Sequence, residues 1–421
     1  MTISIEKPVP AIAEKTVDIQ HTPFDADKIQ AIVDKLWALK SNNTEAAPKI
    51  SSYDEFAALV PTMNGSQYTE LAQQAFKQHT EVPVLIGGSS GTTGPSKLIL
   101  ERTNTPGSRP SEDDIQLITE LRMAGALNPG DVVVNLFMVG MYSLLHQGFN
   151  RILEACYCSV IPLGSLNTDH LHNQLTFMAN AEVNVLVGTP GTLIQMANAV
   201  KDSGITLNIK RILFTGECMG EAKANVLKAI FPGVRIIGCY GLSECGFVAV
   251  EQFNGKYQVR DYAYFLEKSA QGRLLVTSLN PNLPTPVVRY DTGDQFNFIS
   301  LANKIFLDNL DRADNSFNFI GNLIKCSTIT TLASEFLAQK DVLIEVALDT
   351  DEQGRDNLVI TLLVDGLSLA QCQTFEAQLC QLEDFREALD KRAGTVSVVC
   401  APPQAATLSE RNKHRTIVDR R

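Results

Sequence analysis

The chain lacks the basic surplus that a nucleic-acid surface needs. Its 36 Lys and Arg stand against 47 Asp and Glu, a net charge of −11 over 421 residues. Nucleic acid is therefore excluded as the main partner. The local exception is the C-terminal cluster Arg411, Lys413, His414, Arg415, Arg420 and Arg421. CxxC pairs are also missing. Nine cysteines are scattered, Cys156 and Cys158 being the nearest neighbours, and none of the six histidines is spaced with cysteine as metal ligands are. This argues against a disulfide framework or a zinc site and for reduced thiols. Apolar runs are short. The longest, Val132–Leu145, is broken by Asn135, Gly140 and Ser143, too short to span a bilayer. The N-terminal MTISIEKPVPAIAEK lacks the apolar stretch of a signal peptide, so a cytoplasmic location without membrane contact is expected. Internal repeats and low-complexity linkers are absent too. What remains, 44% hydrophobic and 20% charged residues, is the composition of a soluble globular chain with a substantial core and two or more domains.

The most informative segment is residues 89–97, SSGTTGPSK, after the strand-like run Val82–Ile86. Gly88, Gly91 and Gly94 let the backbone take positive φ and present its N–H groups. Ser89, Ser90, Thr92 and Thr93 add hydroxyl donors, and Lys97 adds a compact positive charge. Such a loop is suited to a polyphosphate. It is not a Walker A loop, because Pro95 and Ser96 separate the last glycine from the lysine.

Around this loop the pattern predicts an α/β protein. Helical spacing covers 24–40, 53–78 and 111–127, the first carrying Ile29, Ile32, Val33 and Leu36. Apolar strands are predicted at Asp131–Val139, Val183–Gly188, Arg211–Thr215 and Val234–Cys239. They alternate with helices at His170–Ala179, Thr192–Lys201 and Glu221–Ile230. That alternation predicts parallel sheets covered by helices, with ligands at the carboxyl ends of the strands. Residues 251–310 read as β-rich. Beyond about residue 314, strands at Val342–Ala347, Asn357–Val364 and Thr395–Val399 and a helix over Leu369–Leu389 predict a small α+β unit.

Further segments follow the loop in order: GCYGLSECG at 238–246, VVRYDTGD at 287–294, DRADNSFNFIG at 311–321 and SERNKHRTIVDRR at 409–421. Together with the loop they resemble the ordered motifs of the adenylate-forming enzymes (acyl-CoA synthetases, adenylation domains and luciferases). The wording of 286–294 and the KHRTIVDRR ending look most like the phenylacetate–CoA ligase branch. The resemblance spans residues 89–421. It implies a large N-terminal domain, 1–313, of helix-covered mostly parallel sheets with a β-rich part, and a small mobile α+β domain, 314–421, hinged near Asp314.

It also implies roles. Ser89, Ser90, Gly91, Thr92, Thr93 and Gly94 would cradle the β- and γ-phosphates of ATP, with Lys97 neutralising them. Glu244, with Thr93, would face Mg²⁺. Asp294 would bind the ribose hydroxyls and Arg312 the ribose and phosphates. Adenine would stack on Tyr240, beside Gly216, Glu217, Cys218, Gly241 and Ser243. Lys413 would be the catalytic lysine, touching the α-phosphate and the substrate carboxylate. The acyl pocket would draw on Phe137, Tyr142, His146, Gly188, Phe214 and Gly241, whose aromatic character favours an aryl or apolar carboxylate. Cys239 and Cys245, flanking the 240–244 motif, read as small wall residues rather than reactive thiols.

The implied activity is ATP-dependent acyl-AMP formation with pyrophosphate release, then thioester formation with CoA as co-substrate. A homodimer is compatible with it. Two features depart from the family pattern: Asn412 precedes the lysine in place of Gly, and Asp311 and Ile320 replace the usual Gly and Arg. The first half-reaction is thus better supported than the second. A stand-alone adenylating enzyme that loads a carrier protein or another nucleophile is the alternative. From another class, a catalytically degenerate nucleotide-binding regulator or scaffold is opposed by Glu244, Asp294, Arg312 and Lys413. A phosphotransferase would leave Lys413 idle.

Overall fold

The structure, a computed structural model, describes residues 19–41, 44–78, 83–88, 97–103, 112–140, 144–216, 219–253, 255–302, 304–312, 316–339, 342–402 and 416–421. Among them no helix is long and apolar enough to cross a membrane.

Three helices open the fold: α1 (Ala26–Ser41), α2 (Tyr53–Leu59) and α3 (Gly65–Gln78). The single helix predicted over 53–78 is thus two. Val60 ends α2 in an extended conformation, as expected of a residue before Pro61, whose ring also cannot continue the helix. The hairpin β1 (Val84–Gly88) and β2 (Leu98–Arg102) brackets the 89–97 segment, of which residues 89–96 lie outside the described residues.

Next comes the alternating part: α4 (Glu112–Met123), β3 (Val132–Asn135), α5 (Leu145–Ala155), β4 (Ser159–Ile161), α6 (Leu171–Asn180) and β5 (Val185–Gly188). It continues through α7 (Pro190–Ser203), β6 (Arg211–Phe214), α8 (Glu221–Ile230) and β7 (Arg235–Leu242). Five strands pair in parallel in the order β4-β3-β5-β6-β7. Every residue of β5 is buried, as expected of a parallel strand with helices on both faces. Separate apolar cores fill those faces, one holding Val134, Ile212 and Phe214, the other Val133, Leu213 and Phe137. The strand predicted over Asp131–Val139 is shorter. The fully buried Asn135 side chain accepts from Phe137 N–H and donates to the His146 carbonyl, turning the chain towards α5. The Gly188-Thr189-Pro190 stretch after β5 is a helix start, with Thr189 capping α7 and Pro190 in its first turn.

The β-rich segment comprises β8 (Gly246–Phe253), β9 (Lys256–Val259), β10 (Tyr264–Lys268), β11 (Leu274–Ser278), β12 (Tyr290–Asp291), β13 (Asp294–Leu301) and β14 (Lys304–Arg312). It is continuous with the parallel part. β8 turns back antiparallel on β7, and one nine-stranded sheet results, β13-β14-β9-β8-β7-β6-β5-β3-β4.

The last segment contains β15 (Ser316–Phe319), β16 (Asn322–Lys325), α9 (Cys326–Leu337), β17 (Ile344–Thr350), β18 (Asp356–Leu363), α10 (Leu369–Leu379), α11 (Glu383–Asp390), β19 (Gly394–Ala401) and β20 (Ile417–Asp419). Its four-stranded sheet, β19-β18-β17-β20, has its own core, built around Phe319, Ile360, Phe375 and Phe385. The helix predicted over Leu369–Leu389 is again two. A turn at 380–382 lets Phe375 and Leu379 of α10 and Phe385 and Ala388 of α11 enter that one core. A large helix-covered sheet domain followed by a small α+β domain is therefore the architecture.

Candidate active site

Glu244 lies in the tight turn between β7 and β8, where the sheet changes from parallel to antiparallel. It is 8% exposed, and its Oε1 accepts from Lys97 Nζ at 2.8 Å and from the Tyr290 hydroxyl at 2.6 Å. Lys97 also donates to the Tyr290 oxygen at 2.7 Å, closing a triangle. Burial, then the Glu244 charge, pushes the Tyr290 hydroxyl well above the usual tyrosine range, so it stays protonated and donates. Four residues before Glu244, the Tyr240 hydroxyl donates to Asp294 Oδ2 at 2.8 Å. Asp294 is four residues after Tyr290. The segments 240–244 and 290–294 are thus stapled at both ends, Tyr240 to Asp294 and Glu244 to Tyr290.

Asp294 is 5% exposed, and its N–H is held by the Thr292 hydroxyl. The β13–β14 register places Arg312 opposite it. The Tyr240 ring meets Phe296 edge-on with centroids 4.8 Å apart. Gly216 adopts φ +88°, a conformation that a side chain would strain, and its carbonyl accepts from Asn318 Nδ2 at 2.9 Å. Gly241 sits at a bulge in the β7–β8 pairing, and a Cβ there would come within 3.0 Å of the Gly246 carbonyl. Ser243 is exposed beside Glu244.

Of the residues expected to line an acyl pocket, Gly188 is buried at the end of β5, where a Cβ would approach Thr192 Oγ1 to 2.7 Å. It stands where β4 and β5 diverge to either side of β3, the switch point at which open α/β sheets bind ligands. His146, half-buried at the start of α5, donates from Nδ1 to the Phe137 carbonyl at 2.7 Å. A carbonyl only accepts, so the proton of this bond is on Nδ1. The Phe137 ring is buried against Phe149, centroids 4.4 Å apart, and Phe214 belongs to the core on the opposite face. These two rings therefore do not face one another. Cys239 and Cys245 are buried. Burial pushes the Cys239 thiol up to about 12 and the Cys245 thiol well above its usual value, which suits wall residues rather than nucleophiles.

Ser89, Ser90, Gly91, Thr92, Thr93, Gly94, Tyr142, Glu217, Cys218, Asp314 and Lys413 lie outside the described residues, as does the side chain of Arg312. Tyr290 carries contacts to Lys97 and Glu244 that the sequence did not assign to it, and Arg289 beside it is tied to Glu267. Their signal was position, inside the RYDTGD segment. Replacing Tyr290 by Phe removes one hydroxyl from the triangle while Lys97 and Glu244 stay in direct contact. A buried hydrogen bond is worth about 0.5–1.5 kcal/mol. Acid-dependent ATP–pyrophosphate exchange is expected to fall up to about tenfold.

The donor set fits Mg²⁺ in one specific way. Among the described residues both hydrogen bonds to Glu244 fall on Oε1, leaving Oε2 as the oxygen for a hard cation. Among the described residues no cluster of three His, Cys, Asp or Glu could cage a metal. The ion would thus take one carboxylate here and nucleotide phosphates for the rest, which is how Mg²⁺ is usually held.

No protein-family model matches the chain. It is 29% identical over 373 residues to the indoleacetate–lysine synthetase of Pseudomonas savastanoi, covering 88% of this chain and 92% of that protein. Its fold matches that of 2-hydroxyisobutyryl-CoA ligase, crystallised with its acyl-AMP and CoA in the thioesterification state, at a TM-score of 0.61 and 16% identity. The match covers 94% of this chain and 88% of that one. The same ligase in its postadenylation state matches at 0.54 and 15% identity, covering 94% and 89%. Ordered motifs, fold and relative point the same way: the chain is similar to a curated lysine synthetase and shares the fold of an acyl-CoA ligase.

Proposed function

We propose that the chain is an ATP-dependent ligase that converts an aryl or apolar carboxylate to its acyl-AMP and passes the acyl group to an amine. The observation that carries the adenylation step is the double staple. It sets the buried carboxylates of Glu244 and Asp294 four residues from one tyrosine each, with Lys97 on Glu244. The amine acceptor is supported by the relative named indoleacetate–lysine synthetase, matched over nearly its whole length. CoA is the second reading, favoured by a fold that covers 94% of the chain and was crystallised with CoA.

A substrate carboxylate oxygen attacks the α-phosphorus, the bond to the β-bridging oxygen breaks, and pyrophosphate leaves. Two anions meet in this step, so spreading charge is the main task. Asp294 would hold the ribose hydroxyls, with Tyr240 fixing the carboxylate that accepts them. Lys97 and the 89–94 loop would take the leaving pyrophosphate. Mg²⁺, held on Glu244, would polarise phosphate oxygens. Lys413 would align the α-phosphate with the attacking carboxylate. In the second step the amine nitrogen attacks the acyl carbon, loses a proton, and AMP leaves. The division at 313/314, hinged near Asp314, is part of this reading. It is supported by the separate core that begins at Phe317.

The test is carboxylate-dependent ATP–pyrophosphate exchange over aryl, fatty and amino acids, with Lys413→Ala as control. Exchange is expected with one acid class and reduced about a hundredfold or more in the variant. Mass spectrometry with lysine and with CoA then identifies the acceptor. ATP binding without exchange for any acid would overturn the ligase reading in favour of a nucleotide-binding scaffold.

A further inference from the structure

Polar groups cross from the small domain to the large one, among them two buried charges, with a third, Arg421, half-buried behind them. Lys223 on α8 is 1% exposed and Asp356, the first residue of β18, is 0% exposed. Lys223 Nζ lies 2.9 Å from both oxygens of the Asp356 carboxylate. Arg421 Nη1 donates to Asp356 Oδ2 at 2.8 Å, and the rest of its guanidinium forks onto Asp419. The backbone of Arg421 presses on Gly220, the cap of α8, where a Cβ would come within 2.4 Å of the Arg421 carbonyl carbon. Two neutral hydrogen bonds cross the same boundary, Asn198 Nδ2 to the Gln353 carbonyl and Asn318 Nδ2 to the Gly216 carbonyl. The apolar cores of the two domains remain separate. A cleft lined by Lys201, Val226, Ile230, Glu352 and Gln353 runs along the contact.

A buried ion pair is a poor way to gain stability, since desolvation offsets the attraction. It is a strong way to select one geometry, because separating the partners leaves each charge buried or newly hydrated. We infer that Lys223, Asp356 and Arg421 form a charge latch that holds the small domain docked against the N-terminal end of α8. There Asn318 reaches the Gly216 turn expected to border adenine. Over the whole chain the TM-score is 0.61 to the 2-hydroxyisobutyryl ligase in its thioesterification state and 0.54 to it in its postadenylation state. The consequence for catalysis, that the latch favours acyl transfer over adenylation, rests on the ligase reading. The latch itself does not.

The test compares the full chain with Arg421→Ala, Lys223→Met and the double variant Lys223→Met/Asp356→Leu, which removes the ion pair that crosses the boundary. In the double variant Arg421 loses Asp356 but keeps its fork onto Asp419, so no charge is left without a partner and the small core stays foldable. Hydrogen exchange and small-angle scattering are read without substrates. Exchange is expected to rise about tenfold or more in the first turn of α8 and in the 351–354 turn, while β17 and the interior of β18 stay protected. The radius of gyration should increase. Unchanged exchange and scattering in all three variants would overturn the latch, whatever the acid panel gives. Loosened variants of a protein that exchanges no pyrophosphate would leave the latch standing and remove the ligase reading instead.

Discussion

Glu244→Gln is expected to lower acid-dependent ATP–pyrophosphate exchange by about a hundred- to a thousandfold, the effect typical of losing a preorganised electrostatic partner of the transition state. The substitution keeps size and shape, and its amide oxygen still accepts from Tyr290 and Lys97 at the positions Oε1 now occupies. What it removes is the charge. Lys97 loses its counter-ion at 2.8 Å, and Oε2 no longer offers a carboxylate to a cation. Interactions that strengthen as charge develops on phosphate affect kcat more than ground-state binding. ATP affinity should therefore change far less than rate, and half-saturating Mg²⁺ should rise. The checks are exchange kinetics at varied ATP and varied Mg²⁺, with nucleotide binding measured separately by calorimetry. Loss of ATP binding in parallel with rate would mark Glu244 as a scaffold residue. An unchanged rate would remove it from the reaction.

Local signals carried much of the large sheet. The apolar run ending in Gly188 and the helix Glu221–Ile230 stand where their patterns put them, because a parallel strand covered on both faces has to be apolar throughout. Pro61 was a visible stop that the long amphipathic pattern over 53–78 masked. α9, CSTITTLASEFL, mixes β-branched and polar residues, and only Cys326, Ile329 and Ala333 at i, i+3 and i+7 mark its buried face. The site divides in the same way. Glu244 and Asp294 were legible in their own segments, but their hydrogen-bond partners sit 46 and 54 residues away. That Tyr290 faces Glu244 is a property of the β7–β8 turn lying against β12, which no local window contains. Lys223, Asp356 and Arg421 gave no signal, since an ion pair 133 residues apart in sequence leaves no periodicity.

Arg289→Met destabilises the protein by about 3–5 kcal/mol, the cost of leaving one partner of a buried ion pair uncompensated. Arg289 precedes Tyr290 and takes φ +47°. Its Nη2 and Nε grip Glu267, 2.8 and 3.2 Å from Oε1, and Nη1 donates to the carbonyls of Ala57 and Val60 at the end of α2. Glu267 is 1% exposed. Burial pushes its carboxyl up, and Arg289 is the main influence drawing it back. The backbone binds the same neighbourhood: Met63 N–H donates to the Arg289 carbonyl, and Asp291 N–H to that of Met63. One side chain thus ties the 57–63 connection to the strand that presents Tyr290 to Glu244. Without the guanidinium, Glu267 has a higher folded-state pKa than in the unfolded chain, so the folded state binds more protons. Stability then falls as pH rises through the carboxylate range. The deficit of the variant should be smallest in mild acid and grow towards neutrality, which urea unfolding at several pH values would reveal. Arg289→Met/Glu267→Leu, which removes both charges, should recover most of the loss and flatten the pH dependence. A double variant no more stable than the single one would show that the two carbonyls, rather than the stranded carboxylate, set the cost.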